Sequence, residues 1–315
     1  MSPRPAADGV RVRAPGKINL TLGVGRRRED GYHPLATVFQ AVSAFEDVTA
    51  WPAEDRTVTV SGLHAEHVPT DGANLALQAA DLLARITGVD EGVALHLHKG
   101  VPVAGGMGGG SADAAATLVA CDALWRTGMS RAELTELGAQ LGADVPFALA
   151  GQTAVGRGRG DALSPAMTRG EYHWTLALRS DGLSTARAYG VFDELLAGAV
   201  DDEPDVDPAV MRALRAGDLP ALGAALSNDL QAAALEVAPE IAETLAVAED
   251  AGALGVVVSG SGPTVAALAR SQHQALAIAA AITAAGVADD VMCVSGPVAG
   301  ARVIGTEVRA AEERG

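Results

Sequence analysis

A glycine-rich segment between a strand-like and a helix-like stretch has the composition of a phosphate-binding loop. It reads Pro102-Val103-Ala104-Gly105-Gly106-Met107-Gly108-Gly109-Gly110-Ser111. Glycine adopts positive φ angles without steric cost, so the backbone N–H groups of such a loop can turn into one concavity. The helix that follows, which we expect Ser111 to cap, adds free N–H groups and partial positive charge. A flexible turn needs only one or two glycines, so the sequence favours a loop that holds phosphate.

Other phosphate-binding motifs do not fit this chain. A P-loop places a lysine after its last glycine, whereas this loop continues from Gly110 to Ser111. No Gly-x-Gly-x-x-Gly segment follows a strand-like stretch, so a dinucleotide-binding fold has no support. The Asp-Phe-Gly and His-Arg-Asp triplets of protein kinases are absent from the sequence.

The chain has only two lysines, and each stands beside a glycine-rich turn. Lys17 follows a Pro-Gly break between predicted strands at residues 10–14 and 18–25. Because side chains alternate along a strand, Lys17 and Asn19 should share one face. Lys99 ends an alternating stretch that leads directly into the phosphate loop. Both lysines are therefore candidates for contact with an anionic ligand.

The remaining pattern mixes helices and strands without a repeat of fixed period. Apolar spacing predicts helices at residues 74–87, 111–124 and 130–141, the last with capping-box spacing at its start. An acidic, proline-containing stretch at residues 201–207 is predicted to be a surface loop near a lobe boundary. Helices alternate with apolar strands beyond it, so the pattern is that of an α+β protein with two lobes.

Four further segments complete a specific set of motifs. The phosphate loop and the Lys17 turn are accompanied by Arg28-Glu29-Asp30-Gly31-Tyr32-His33, Leu141-Gly142-Ala143-Asp144-Val145-Pro146-Phe147, Asn228-Asp229-Leu230 and Ser259-Gly260-Ser261-Gly262. The last of these, taken alone, fits a hairpin and a ligand-binding loop equally well. In this order, from about Val10 to Val294, the motifs resemble the GHMP kinases, the superfamily of galactokinase, homoserine kinase and mevalonate kinase.

The resemblance implies an ATP-dependent kinase with a two-lobed α+β fold and an active site in the cleft between the lobes. Residues 1–160 would form the N-terminal lobe with the glycine-rich loop, and residues 161–315 the C-terminal lobe. The motifs are most similar to those of members that phosphorylate the 2-hydroxyl of 4-diphosphocytidyl-2-C-methyl-D-erythritol in non-mevalonate isoprenoid precursor biosynthesis. ATP is then the co-substrate, and Mg²⁺ would bridge its phosphates with few direct protein ligands.

The resemblance also implies roles for individual residues at the reacting end. Asp144 would be the base for the acceptor hydroxyl. Lys17 would keep Asp144 ionised and stabilise charge on the transferring group. Asn19 would hydrogen-bond the acceptor. The triphosphate would lie on the glycine-rich loop, and Asn74 and Lys99 would lie near the adenine of ATP.

Recognition of cytidine should require aromatic side chains. Two rings can sandwich a base, and an imidazole can contact the hydrogen-bonding edge of a pyrimidine. The resemblance implies that Tyr32, His33 and Tyr189 form this part of the site. Thr185 would lie beside Tyr189.

Composition limits the partners and the location of the protein. The formal net charge is −16, which disfavours nucleic acid and anionic membrane surfaces as partners. No signal peptide or membrane span is predicted, and Cys121 and Cys293 are both expected to be buried thiols, so we expect a cytoplasmic protein. No metal site is predicted, because His96 and His98 lack a third clustered ligand. We expect a monomer or a homodimer.

Two alternative functions remain open at this point. One is a GHMP kinase that acts on homoserine or mevalonate, which would not need the aromatic group of Tyr32, His33 and Tyr189. The other is a catalytically dead member that binds its ligand as a sensor. The presence of Lys17, Asp144 and an intact glycine-rich loop argues against a sensor.

Overall fold

The two longest strands are antiparallel neighbours in the computed structural model, which describes residues 8–195 and 203–308. They are β1 (Asp8–Val24) and β2 (Leu35–Ala53). The break predicted within β1 is wrong, because the strand continues there. Its pairing register with β2 shifts between Pro15 and Gly16 and again between Asn19 and Thr21. Proline has no N–H to donate to a strand ladder, and a bulge accommodates it without ending the strand.

Shorter strands and helices complete the described residues. The further strands are β3 (Thr57–Gly62), β4 (Gly92–Lys99), β5 (Thr153–Gly158), β6 (Ala162–Pro165), β7 (Tyr172–Leu178), β8 (Ser227–Asn228), β9 (Gly255–Val258), β10 (Val265–Ala269), β11 (Asp290–Gly296) and β12 (Arg302–Val308). The α-helices are α1 (Leu75–Thr87), α2 (Gly109–Trp125), α3 (Arg131–Leu141), α4 (Val145–Ala150), α5 (Thr185–Leu195), α6 (Pro208–Ala216), α7 (Leu219–Ala224), α8 (Gln231–Val237), α9 (Ile241–Asp250) and α10 (Gln272–Ala285). A short 3-10 helix spans Ala65–His67.

The strands form two sheets. In the larger sheet the order is β12-β1-β2-β4-β3, with β5 on β2, β6 on β5 and β8 on β1. The smaller sheet is antiparallel and has the order β11-β7-β10-β9. The combination of helices with these two sheets confirms the predicted α+β class. No helix within the described ranges combines the length and the apolar character needed to cross a membrane.

Sequence signals locate the ends of several helices. Ser130 and Glu133 form the predicted capping box at the start of α3, with both reciprocal hydrogen bonds present. Asn74 caps α1 by accepting a hydrogen bond from the backbone N–H of Ala76 at 2.8 Å. Asp207, in the acidic stretch, caps α6 in the same way through Ala209. Residues 201 and 202 of that stretch lie outside the described residues.

Apolar side chains from both sheets pack together in one core. Ile18 and Leu20 of β1 contact the layer that contains Trp174 and Leu176 of β7. A buried hydrogen bond of 2.9 Å from the Trp174 indole to Gln40 Oε1 joins the two sheets at the same place. On the other face of β1, alanine-rich α2 packs against the larger sheet, where its small side chains allow close approach. β1 is therefore buried on both faces, and this fixes the orientation of the polar residues it carries.

Residues beyond the predicted lobe boundary at residue 160 contribute strands to the larger sheet. β6, β8 and β12 all follow the predicted lobe boundary, yet each adds to the larger sheet. β12 pairs with β1 along the edge that β2 leaves open, and so satisfies backbone groups that would otherwise be unpaired. Cys121 is buried as predicted, but the prediction for Cys293 is wrong, because it lies exposed on the edge strand β11.

Candidate active site

A cavity of about 490 Å³ lies where the glycine-rich loop meets β1, α4 and α5. Most of the residues proposed from the sequence line it. They are Lys17, Asn19, Asn74, Lys99, Pro102, Val103, Ala104, Gly105, Gly106, Gly108, Gly109, Gly110, Ser111, Asp144, Thr185 and Tyr189. Met107, Tyr32 and His33 are not among the lining residues.

The glycine-rich loop takes a backbone path that requires glycine. Gly106 and Gly108 have φ angles of 75° and 72°, in the left-handed region that favours glycine. A Cβ atom on Gly106 would lie 2.2 Å from the carbonyl oxygen of Ser259, so the loop packs directly against the third glycine-rich turn. The Met107 side chain points away from the cavity into the core, and only its backbone belongs to the loop.

The helix after the loop begins earlier than predicted. Gly108 is the N-cap of α2 and makes no side-chain capping bond, so the prediction that Ser111 caps this helix is wrong. The reason is the left-handed conformation at Gly108, which turns the chain into the helix three residues before Ser111. Ser111 therefore sits in the first turn of α2, where its side chain lines the cavity.

Lys17 joins the loop to the strand. Its Nζ donates hydrogen bonds of 2.8 Å to Asn19 Oδ1 and 2.8 Å to the carbonyl oxygen of Gly106. Its backbone N–H donates to the carbonyl of Met107 at 2.9 Å. The side chain is buried, with 7% of the residue exposed, and Nζ lies 3.8 Å from Asp144 Oδ2. The structure thus places an ammonium between the loop and a carboxylate.

Asp144 stands at the start of α4 with its carboxylate directed to the cavity. It is the N-cap residue of α4, but its side chain makes no capping hydrogen bond. The side chain is 33% exposed, so a ligand can reach it. A Cβ atom on Gly108 would lie 3.7 Å from Asp144 Oδ2 and 3.4 Å from Lys17 Cγ. The carboxylate and the ammonium therefore both border the point where the loop enters α2.

Asn19 is held rigidly beside Lys17. Its Oδ1 accepts from Lys17, and its Nδ2 donates to Thr37 Oγ1 at 2.8 Å. Thr37 in turn donates to the backbone carbonyl of Thr21 at 2.7 Å. The predicted alternation of Lys17 and Asn19 on one face of β1 is present, because both line the cavity while Ile18 and Leu20 are in the core.

Of the aromatic residues, Tyr189 lines the cavity, and His33 packs against it. The His33 ring stacks on Tyr189, with centroids 5.0 Å apart and an interplanar angle of 30°. His33 Nδ1 bonds to the carbonyl oxygen of Gly25 at 2.9 Å, and Nε2 lies 3.4 Å from Asp193 Oδ1. Burial raises the pKa of Tyr189 to about 12, and the charge of Asp144 adds to the shift, so this phenol stays neutral at neutral pH. Tyr32 is half exposed.

The third glycine-rich turn forms a wall of the cavity. Gly260 and Ser261 line it, and a Cβ atom on Gly260 would lie 3.3 Å from Lys17 Nζ. Ser261 Oγ and Thr185 Oγ1 are hydrogen-bonded at 3.0 Å. Asn228 Nδ2 donates to the carbonyls of Val258 and Gly260, both at 2.7 Å, which holds the turn in place. The segment is a hairpin, because it joins the antiparallel strands β9 and β10, and it also faces the cavity.

Asn74 and Lys99 reach the cavity with their polar groups already engaged. The Asn74 amide caps α1 and also donates to the carbonyl of Pro69 at 2.6 Å. Lys99 Nζ lies between Glu46 Oε1, at 2.7 Å, and Asp113 Oδ2, to which it donates a hydrogen bond. Lys99 is thus the centre of a buried ion cluster, which we call the Glu46–Lys99–Asp113 cluster, rather than an uncompensated cation.

The cluster supports both ends of the glycine-rich loop. Glu46 Oε2 accepts from the backbone N–H of Gly100 at 3.1 Å, and a Cβ atom on Gly109 would lie 2.9 Å from Glu46 Oε1. Burial, reinforced by the Asp113 carboxylate, raises the pKa of Glu46 to about 8, although Lys99 opposes the shift. Burial raises the pKa of Asp113 as well. The two carboxylates raise the pKa of Lys99 against the effect of its own burial.

Sequence reasoning missed several residues of the site. Asp113, Phe39, Leu230 and Arg159 line the cavity without having been assigned to it. Leu230 belongs to the Asn228-Asp229-Leu230 motif, so the motif could have indicated that this residue lies at the site. Arg159 lies in a Gly-Arg-Gly-Arg-Gly segment that reads as a hairpin turn, and its composition gives no indication of the cavity.

Comparison with known proteins places the chain in a family. Models described as GHMP kinases N terminal domain and GHMP kinases C terminal match residues 74–152 and 210–288. A protein of Leifsonia xyli subsp. xyli (strain CTCB07), named 4-diphosphocytidyl-2-C-methyl-D-erythritol kinase, is 54% identical over 305 residues, covering 94% of this chain and 99% of the relative. The relative of that name from Streptomyces coelicolor (strain ATCC BAA-471 / A3(2) / M145) is 50% identical over 296 residues, covering 94% and 99% of the two chains.

Solved structures agree with this placement. The crystal structure of a 4-(cytidine 5'-diphospho)-2C-methyl-D-erythritol kinase matches with a TM-score of 0.73 and 31% identity, covering 90% of this chain and 98% of that chain. Homoserine kinase from Cytophaga hutchinsonii ATCC 33406 matches with a TM-score of 0.73, covering 96% and 100% of the two chains. Its identity is 19%, so it supports the fold alone.

The fold and the site define a GHMP kinase, an ATP-dependent kinase of small molecules. Within that class, the chain belongs to the family of 4-diphosphocytidyl-2-C-methyl-D-erythritol kinases. The resemblance drawn from the sequence motifs is confirmed.

The Glu46–Lys99–Asp113 cluster should make folding stability depend on pH. A carboxyl group whose pKa is raised in the folded state binds more protons there than in the unfolded chain, so its contribution is complete at low pH and is lost as pH rises. The contribution of Glu46 to stability is lost as the pH rises from 4.5, the ordinary pKa of this carboxyl group, to about 8, its pKa in the folded protein. We expect the free energy of unfolding to fall by up to about 1.4 kcal/mol per pH unit in this window from Glu46 alone.

Denaturant unfolding of the wild type and of Glu46→Gln at several pH values between 5 and 9 measures this contribution. The variant should be less stable overall and should show a shallower decline with pH. Glu136→Gln removes an exposed carboxylate on α3 and serves as the control with the wild-type slope. Equal slopes for wild type and Glu46→Gln would contradict the assignment.

Proposed function

We propose that the protein transfers the γ-phosphoryl group of ATP to the 2-hydroxyl of 4-diphosphocytidyl-2-C-methyl-D-erythritol, giving the 2-phosphate and ADP. The observation that carries this proposal is the Lys17–Asp144 pair at the foot of the glycine-rich loop, with 3.8 Å between Nζ and Oδ2. The family of the chain supplies the identity of the acceptor. The chain belongs to a family of kinases, and the groups proposed to act in phosphoryl transfer lie around one cavity.

The triphosphate is proposed to lie on the glycine-rich loop. Phosphoryl transfer depends chiefly on positioning and on electrostatic stabilisation of charge on the equatorial oxygens. Free N–H groups at the start of α2 and the Lys17 ammonium supply positive charge where the loop enters the helix. Lys17 is already aligned by Asn19 and Gly106, so it needs no reorganisation as charge develops.

Asp144 is proposed to accept the proton of the acceptor 2-hydroxyl. The hydroxyl oxygen forms a bond to the γ-phosphorus, the bond from that phosphorus to the β–γ bridging oxygen breaks, and ADP leaves. The proton moves to a carboxylate oxygen of Asp144, which no capping hydrogen bond occupies. The Lys17 ammonium lies 3.8 Å from this carboxylate and would also attract the charge of the transferring group.

The start of α2 offers oxygen atoms suited to Mg²⁺. The Ser111 hydroxyl lines the cavity, and so does Asp113, whose Oδ1 is buried without a hydrogen-bond partner. One hydroxyl and one carboxylate, completed by phosphate and water oxygens, match the preference of Mg²⁺. Clusters of three or more His, Cys, Asp or Glu that could hold a metal are absent from the described part of the chain. Bound there, Mg²⁺ would neutralise charge on the phosphates.

The acceptor is proposed to extend from Asp144 toward the aromatic residues. Asn19 would orient the methylerythritol hydroxyls, and Tyr32, His33, Thr185 and Tyr189 would hold the cytidine. Tyr189 lines the cavity and carries the His33 ring stacked on it, which supports this direction. An acceptor such as homoserine or mevalonate has no base for these rings. The monomeric or homodimeric state and the cytoplasmic location stay predictions.

Replacement of Asp144 tests the proposed base. Asp144→Asn keeps the size of the side chain but removes its ability to accept a proton. We expect kcat to fall by about 10²- to 10⁴-fold, while the Kd for ATP measured by calorimetry stays within about threefold. Asp250→Asn, an exposed change at the end of α9, is the matched control and should keep full kcat. A kcat near the wild-type value in Asp144→Asn would remove the assigned role.

Comparison of two acceptors tests the base site. The cytidylylated acceptor should have a kcat/KM at least about 10- to 100-fold above that of methylerythritol phosphate, because stacking of a base on aromatic rings contributes about 1–3 kcal/mol. Release of ADP with each acceptor in a coupled assay measures the ratio. Tyr189→Leu should reduce the ratio. A wild-type ratio near one would contradict the proposed cytidine site.

A further inference from the structure

Three arginines that lie close to Tyr32 or Arg159 along the chain form ion pairs with carboxylates. Arg27 lies 3.8 Å from Asp193. Arg28 donates to Glu203 of the acidic stretch. Arg157, on β5, donates to Asp205 at 2.7 Å. These cations are therefore already compensated before an anionic ligand arrives.

Arg159 differs from these three arginines. It makes no ion pair with any carboxylate in the part of the chain that the structure describes. It lies in the turn between β5 and β6, where Gly158 and Gly160 have φ angles of 69° and 96°. Its side chain is exposed and lines the cavity. Arg159 is thus an uncompensated cation that faces the acceptor end of the site.

The guanidinium of Arg159 lies on the ring of Tyr32. Its Cζ atom is 3.8 Å from the ring centroid, which is a close cation–π contact. Tyr32 is 50% exposed, yet Arg159 lines the cavity and Tyr32 does not. The guanidinium therefore occupies a face of the ring that a cytosine base would need for stacking.

We propose that Arg159 binds the diphosphate of the acceptor. In the free enzyme its guanidinium covers the Tyr32 ring. When the acceptor binds, the cytosine base stacks on that ring in its place, and the guanidinium moves to pair with the diphosphate. This proposal rests on the function proposed above. It adds a residue that recognises the diphosphate of the acceptor, whereas the aromatic rings bind its base.

Chemistry favours this exchange. A planar guanidinium binds phosphate oxygens through two parallel hydrogen bonds, which are stronger than a cation–π contact at a solvent-exposed ring. The cytosine takes over the stacking that the guanidinium provided, so the Tyr32 ring keeps a partner. The net charge of −16 repels an anionic acceptor, and an uncompensated cation at the entrance offsets that repulsion locally.

The test compares the binding of cytidine, CMP and CDP, which share the base and differ in phosphate. Calorimetry gives the Kd of each ligand for wild type, Arg159→Ala, Arg159→Lys and Arg157→Ala. We expect Arg159→Ala to weaken CDP binding by about 10- to 100-fold and to leave cytidine binding unchanged or slightly tighter. Arg159→Lys should be intermediate, because it keeps the charge but loses the two-pronged geometry. Arg157→Ala, on the same hairpin, is the matched control and should bind CDP as wild type does.

Steady-state kinetics provide a second readout. In Arg159→Ala the KM for the acceptor should rise by a similar factor, while the KM for ATP changes by less than about twofold.

Three outcomes would overturn the proposal. If Arg159→Ala weakened the binding of cytidine and of CDP equally, Arg159 would act only through the shape of the base site. A rise confined to the KM for ATP would overturn it too, as would a wild type that binds CDP no more tightly than cytidine. Failure of the proposed function would instead appear as absent turnover in the wild type, and the binding comparison does not depend on turnover.

Discussion

The active site depends on the position of one ammonium group. Lys17 Nζ is hydrogen-bonded to Asn19 and to the Gly106 carbonyl, so it connects the strand to the loop. Its backbone N–H binds the next carbonyl along the loop, that of Met107. Because β1 is packed on both faces, Lys17 has little freedom to move. The same residue that would stabilise the transferring phosphoryl group therefore also sets the shape of the loop that would hold ATP.

The second lysine has a different role from the first. Lys99 is enclosed by Glu46 and Asp113, and all three side chains are buried, although Lys99 and Asp113 also line the cavity. One cation between two carboxylates leaves an excess negative charge, and burial makes that charge costly unless a proton is retained. A chain with few lysines thus uses one at the ligand and one to hold together two acidic groups that support the loop.

Local signals in the sequence predicted much of the site. The period of two on β1 gave the shared face of Lys17 and Asn19, and the Ser130–Glu133 spacing gave the start of α3, because both are set by nearest neighbours along the chain. The start of α2 was misplaced, since the left-handed turn at Gly108 decides it and Ser111 is not needed as a cap. The surroundings of Lys99 and Arg159 could not be found, because their partners are 14 to 127 residues away in the sequence.

The pairing of β12 with β1 affects how the chain folds during its synthesis on the ribosome. Residues 302–308 complete the sheet that begins at residue 8, so one edge of the first strand has no β12 neighbour until nearly the whole described chain has left the ribosome. During synthesis that edge presents unpaired N–H and C=O groups to other chains. The strand that carries Lys17 is thus among the last parts of the protein to gain its full set of contacts, and a growing chain has to be kept from pairing elsewhere until then.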